Sequence, residues 1–281
     1  MKTQAPHYTH DGELLLLDRW SEPPSTWFGY SHEFVFFDTE TCKRLRKFLV
    51  KGLNVTGSIE FSRNGKHILR SSLDCDNGVV QIQQIESDTG KSVREWTYSG
   101  SNLCNVPLSS RRVALSGDGT TLAIGLSQHT SEEHEEEVGD NHLGRVILID
   151  LVSGEVVRDW IESDTVGIGT VDISFDAKIL VIGFRDGTVK SLHIPSDTFK
   201  SIVKHSSSVV ELIISPGDEL VFSSSTEEAE RLVAHRLDTG EQVHEFVFDA
   251  RIHDFDISRD GETLVVGTGS VIEVVNLNTK P

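Results

Sequence analysis

The sequence predicts an all-β chain assembled from about six copies of one four-stranded unit, and three observations carry that reading. The clearest is the stretch from Gly144 to Trp160, a strand, a tight turn and a second strand. Val146 and Leu148 fall at period two, Asp150 to Gly154 supply turn chemistry, and Val157 to Trp160 resume a β-branched and aromatic run. Second, the turn recurs. Its closing Ser or Thr stands at Thr41, Thr89, Ser153, Thr198, Thr239 and Thr279, at steps of 48, 64, 45, 41 and 40 residues. A period near forty with insertions belongs to stacked small sheets. Third, each unit carries an upstream hairpin whose Asn-Gly or Asp-Gly tolerates the positive φ of a tight reversal.

The units run approximately 1–50, 51–100, 101–162, 163–205, 206–248 and 249–281, read together as a single domain, and their strands are labelled a to d. The a-to-b hairpin reads Phe61-Ser62-Arg63-Asn64-Gly65, Leu115-Ser116-Gly117-Asp118-Gly119 and Ile257-Ser258-Arg259-Asp260-Gly261. Variants occur at Tyr8 to Gly12, Phe175-Asp176-Ala177 and Pro216-Gly217-Asp218. Strand b follows each as an apolar run: Leu14 to Leu17, His67 to Leu69, Leu122 to Ile124, Ile179 to Ile182, Leu220 to Phe222, Leu264 to Val266. After the c-to-d turn comes strand d, as Leu45-Arg46-Lys47-Phe48, Val93-Arg94-Glu95-Trp96, Val157-Arg158-Asp159-Trp160 and Val243-His244-Glu245-Phe246. Apolar positions alternate there, so one face packs and the other is wetter. The sixth unit stops just after its turn and is predicted to lack strand d.

Composition bounds function. The chain has 281 residues, 26 basic against 44 acidic, and a formal charge of -18. A phosphate backbone is held by clustered Lys and Arg, and the one basic cluster, Lys43 to Lys47, sits in a regular strand; nucleic acid is not an expected partner. Cys42, Cys75 and Cys104 lack the paired spacing of a zinc site or disulfide framework, which suits a reducing compartment. Leu14 to Leu17 is too short for a signal or a membrane span. A cytosolic protein is expected, with the nucleus open and no membrane partner, and Asn54-Val55-Thr56 reads as a chance tripeptide rather than a glycosylation acceptor.

With these residues in place, the units resemble WD40-type repeats, whose pattern sets Ser-x-Asp-Gly between two strands and then Gly-x-Val-x-x-Trp-Asp-x-x-Thr-Gly. The resemblance covers nearly the whole chain and implies a β-propeller of about six four-stranded blades, the last incomplete. The Trp-Asp column reads Phe37-Asp38, Ile85-Glu86, Ile149-Asp150, Leu192-His193, His235-Arg236 and Val275-Asn276, and the Gly-His dipeptide before strand a is missing, so the likeness is to a divergent member. Quinoprotein propellers share Asp150-x-x-Ser153-Gly154, but Val157 stands where their docking Trp falls, and no cofactor is expected.

In such blades the a-to-b and c-to-d turns share one rim, and the b-to-c and d-to-a connections the other. The first rim is uniform and the second is not. Its loops include the aromatic Trp20 to Tyr30 stretch with Trp20, Trp27, Phe28 and Tyr30, and the acidic run Glu132, Glu133, Glu135, Glu136 and Glu137. Ser99 to Ser110 and Thr226 to Glu230 project there too. Variable loops on a rigid frame usually carry function, so the expectation is a non-catalytic interaction protein using these residues on a protein partner. Solvation of the acidic run and folding back of the aromatics are the plainer readings of each loop.

Two alternatives carry chemistry. His129, His134 and His142 lie among Glu residues but match no zinc spacing. In the centre of strand a, His7, Glu60, Asp172 and Asp256 share a column that would line a propeller channel and could hold a cation or act as acid and base. No Gly-rich phosphate loop or Gly-x-Ser-x-Gly nucleophile occurs. A third reading makes the chain one module of a larger assembly.

Overall fold

The computed structural model describes residues 2–3, 7–8, 14–21, 31–38, 40–50, 59–61, 66–74, 79–99, 112–129, 142–162, 167–258, 260–269 and 271–278. They form six antiparallel sheets and, among the described residues, no α-helix, an arrangement that fits a β-propeller-like fold. The chain divides into two compact units, Met1–Ser110 and Arg111–Pro281.

The first unit holds two sheets. One is built from β1 (Lys2–Thr3), β2 (His7–Tyr8), β3 (Leu14–Ser21), β4 (Ser31–Asp38) and β5 (Arg44–Val50). The other has β6 (Ile59–Phe61), β7 (His67–Asp74), β8 (Val79–Glu86) and β9 (Ser92–Ser99) in that order. Where a single inner strand is expected at the amino terminus, β1 pairs with β3 at Arg19 and Trp20 while β2 pairs with it at Leu15 and Leu16. Pro6, which brings no N–H to a ladder, stands between the two pieces. Phe34 and Phe36 of β4, both fully buried, pack on Ile59, Ile68 and Ile85 of the second sheet, with Phe48 of β5 against them. Strand d adds a polar tie: Arg46 Nε donates to the Ser87 carbonyl at 3.0 Å, and its guanidinium meets Asp88 at 3.1 Å.

The second unit stacks four sheets. The third sheet of the chain is β10 (Val113–Leu115), β11 (Thr121–His129), β12 (His142–Asp150) and β13 (Val156–Glu162). The fourth is β14 (Ile168–Ile173), β15 (Ile179–Phe184), β16 (Thr188–His193) and β17 (Thr198–Lys204). The fifth is β18 (Val209–Ile214), β19 (Leu220–Ser225), β20 (Arg231–Arg236) and β21 (Gln242–Val247). The sixth has three strands, β22 (Ile252–Ile257), β23 (Thr263–Thr268) and β24 (Val271–Asn276).

Period-two strands with both faces apolar must be covered twice, and consecutive sheets here supply the cover. Val146 and Leu148 of the third sheet interleave with Ile173, Leu180, Ile182 and Phe184 of the fourth. Val181 and Val189 then meet Val209, Ile214 and Val221 of the fifth, and Phe222, Leu232 and Ala234 meet Phe255, Leu264 and Val266 of the sixth. On the sixth sheet the series stops. Ile272 and Val274 occupy the β24 places of Phe34 and Phe36, Val146 and Leu148, or Leu232 and Ala234, yet they are 73% and 68% exposed.

Turn chemistry explains why the a-to-b turns of the second unit are regular. Ser116 Oγ donates to Asp118 Oδ1 at 2.6 Å and accepts the Thr121 N–H at 2.9 Å, and Ser258 repeats both bonds with Asp260 and Thr263 at 2.6 and 2.9 Å. Gly119 and Gly261 take the left-handed position at φ 76° and 73°; in the fourth sheet Ala177 is held there at φ 56° and in the fifth Asp218 at φ 56°. Neighbouring turns are joined as well: the Asp118 N–H donates to the Phe175 carbonyl at 3.2 Å, and both Asp218 carboxylate oxygens accept the Phe175 N–H at 3.1 Å.

Candidate functional site

Of the sequence-derived candidates for the b-to-c connections, only Trp20 falls among the described residues. Trp20 lies in β3, opposite His32 of β4 and Lys2 of β1. Trp27, Phe28 and Tyr30, with Glu132, Glu133, Glu135, Glu136 and Glu137, lie outside the described residues. The strands that lead to the acidic run are described: β11 and β12 pair without interruption to the end, where His129 and His142 are cross-strand partners. The third histidine of that set, His134, lies outside the described residues.

The strand-a column divides between the two units. His7 is in β2 and Glu60 in β6, both in the first; Asp172 in β14 and Asp256 in β22 belong to the second. Asp172 has a defined structural task. Its Oδ1 accepts the Ile173 N–H at 2.8 Å and its Oδ2 the Ile214 N–H at 2.7 Å, so one carboxylate links its own inner strand to that of the next sheet. Asp256 repeats the first bond, accepting the Ile257 N–H at 2.7 Å. Its side chain keeps contact with water but protein crowds the carboxyl, and that desolvation raises its pKa above the ordinary carboxylate range; the Ile257 N–H opposes the rise and the Asp254 charge adds to it. Among the described residues no three His, Cys, Asp or Glu side chains are placed to hold a metal ion.

One polar cluster escaped the sequence reading. His205, between β17 and β18, is buried, and its Nε2 lies 2.9 Å from Ser223 Oγ of β19, which is fully buried. Burial lowers the imidazole pKa to about 4; the Glu228 charge works against that shift, while His235 and Arg231 reinforce it. The ring is therefore neutral at neutral pH. A Ser–His pair suggests a nucleophile and its base, but Ser223 has no exposed surface for a substrate to reach, and the pair is a core hydrogen bond. Its sequence signal was faint: a His just before strand a, opposite the run Ser223-Ser224-Ser225.

No protein-family model matches the chain, and no curated protein matches it in sequence. Among the described residues no helix is long and apolar enough to cross a membrane.

Proposed function

We propose that the chain is a non-catalytic, WD40-like β-propeller of about six blades that offers its b-to-c and d-to-a end to a protein partner in the cytosol or nucleus. One observation supports this most: in the second unit the a-to-b turns bond internally and to the next sheet, while in the sequence the long and variable connections run from strand b to c or from d to a. Trp20, Trp27, Phe28 and Tyr30 act as anchors, and the acidic run from Glu132 to Glu137 favours a basic contact surface. The test is affinity capture from a native extract with Trp27→Ala and Phe28→Ala variants. Partner recovery that falls several-fold supports the reading, and unchanged recovery removes the aromatic loop from it.

The competing reading, chemistry from the strand-a column, draws its support from the raised Asp256 carboxyl. It requires a divalent metal in the purified protein, and its calcium-dependent stability would be lost in Asp172→Asn.

A further inference from the structure

Three arginines in this chain sit against a carboxylate: Arg46 meets Asp88 at 3.1 Å, Arg145 meets Asp159 at 2.6 Å and Arg231 meets Glu245 at 2.7 Å. Arg112 stands differently. It immediately precedes the inner strand of the third sheet and is only 7% exposed, yet among the described residues no carboxylate reaches its guanidinium. Among the described residues its one bond runs from Nε to the Gly169 carbonyl at 3.4 Å, and its Nη groups have no acceptor there and are not fully enclosed.

A second arginine stands beside it. Arg185 follows β15 directly, and its N–H donates to the Gly167 carbonyl at 2.9 Å, two residues from the carbonyl that holds Arg112. Half-buried Arg185 likewise has no carboxylate partner among the described residues. Gly169 lies tight against the next sheet, where a Cβ on it would stand 2.2 Å from the Val209 carbonyl oxygen. Burial, and then the Arg185 charge, lower the Arg112 pKa to about 10, which still leaves it charged at neutral pH. The result is two neighbouring cations with no carboxylate partner among the described residues, in a protein whose net charge is -18.

A buried charge left unpaired is costly, and guanidinium Nη edges match the paired oxygens of an oxyanion. We propose that Arg112 and Arg185 form a binding site for a dianionic phosphate group, free or as a phosphomonoester, with the Arg112 Nη edge as the inner contact and Arg185 closing the outer side. The site lies at the same sheet end as the proposed docking loops but stands on its own geometry, so failure of the aromatic-loop capture experiment leaves it untouched.

The test is calorimetric titration of the whole protein with inorganic phosphate and with phosphoserine, at constant ionic strength, with acetate as the monoanion control. Saturable phosphate binding is expected, weakened at least tenfold by Arg112→Gln and by the more accessible Arg185→Gln, and partly retained in Arg112→Lys, which keeps the charge but loses the fork. Phosphoserine binding more tightly than phosphate points to a phosphorylated side chain, and equal binding to the free ion; both support the site. Absence of saturable binding, or binding unaltered in both glutamine variants, overturns it.

Discussion

The Asp172 carboxylate accepts the Ile214 N–H at 2.7 Å, a bond between the inner strands of two adjacent sheets. Together with the Ile173 N–H on its other oxygen, it gives a residue that invites a catalytic reading a load to carry in the frame. Hydrogen bonds to a charged group contribute about 1.5–3 kcal/mol each, so Asp172→Ala is expected to cost about 3 kcal/mol. Urea unfolding reads the change directly, and a loss under about 1 kcal/mol would rule out the clamp.

The buried His205 imposes a pH dependence. Its pKa is about 4 when folded against an ordinary value of 6.5, so the unfolded chain binds the extra proton first. The contribution to stability is complete above pH 6.5 and drains away as the pH falls towards 4, by about 3 kcal/mol in all. Replacing His205 with Gln should flatten the stability profile across that window; a slope that persists unchanged would assign it to other groups.

Ala177 stands in the left-handed position that Gly119 and Gly261 fill in their own turns. An alanine there carries a Cβ penalty that the glycines escape, partly offset by its methyl packing against the buried cluster of the third and fourth sheets. Ala177→Gly is therefore expected to raise stability by about 0.5 kcal/mol, seen as a higher melting temperature. A drop beyond about 1 kcal/mol would mean that the packing outweighs the backbone strain.

Much of this frame was legible in the residues. Ser116-Gly117-Asp118-Gly119 and Ser258-Arg259-Asp260-Gly261 announced their turns because the bonds that close them are local, five or fewer positions apart. That the sixth sheet has three strands among the described residues could be read from the repeat itself. What the sequence could not show was bonding across sheets. Nothing in the neighbourhood of Asp172 names Ile214, 42 residues on, and nothing near Arg112 announces the Gly169 carbonyl, 57 residues on. Polar character marked the Asp172 column as interesting, but only the register of adjacent inner strands tells a clamp from a reactive group. Arg112 passed unnoticed because a lone arginine carries no pattern, and its meaning lies in having no acid beside it among the described residues.

β24 presents Val271, Ile272 and Val274 at 57%, 73% and 68% exposure. Because these side chains pack on little, Ile272→Lys should leave the unfolding midpoint within about 0.5 kcal/mol of the parent while suppressing turbidity on concentration. Equal turbidity in the two proteins would clear this edge of responsibility.

That bare strand also sets the conditions under which the purified protein will keep. At low ionic strength the surplus of negative charge holds molecules apart, and the edge has few chances to meet another like it. Added salt shortens the reach of that repulsion to about 8 Å at physiological strength while strengthening apolar association, so shelf life is expected to shorten as salt rises and storage in dilute buffer to be the gentler choice.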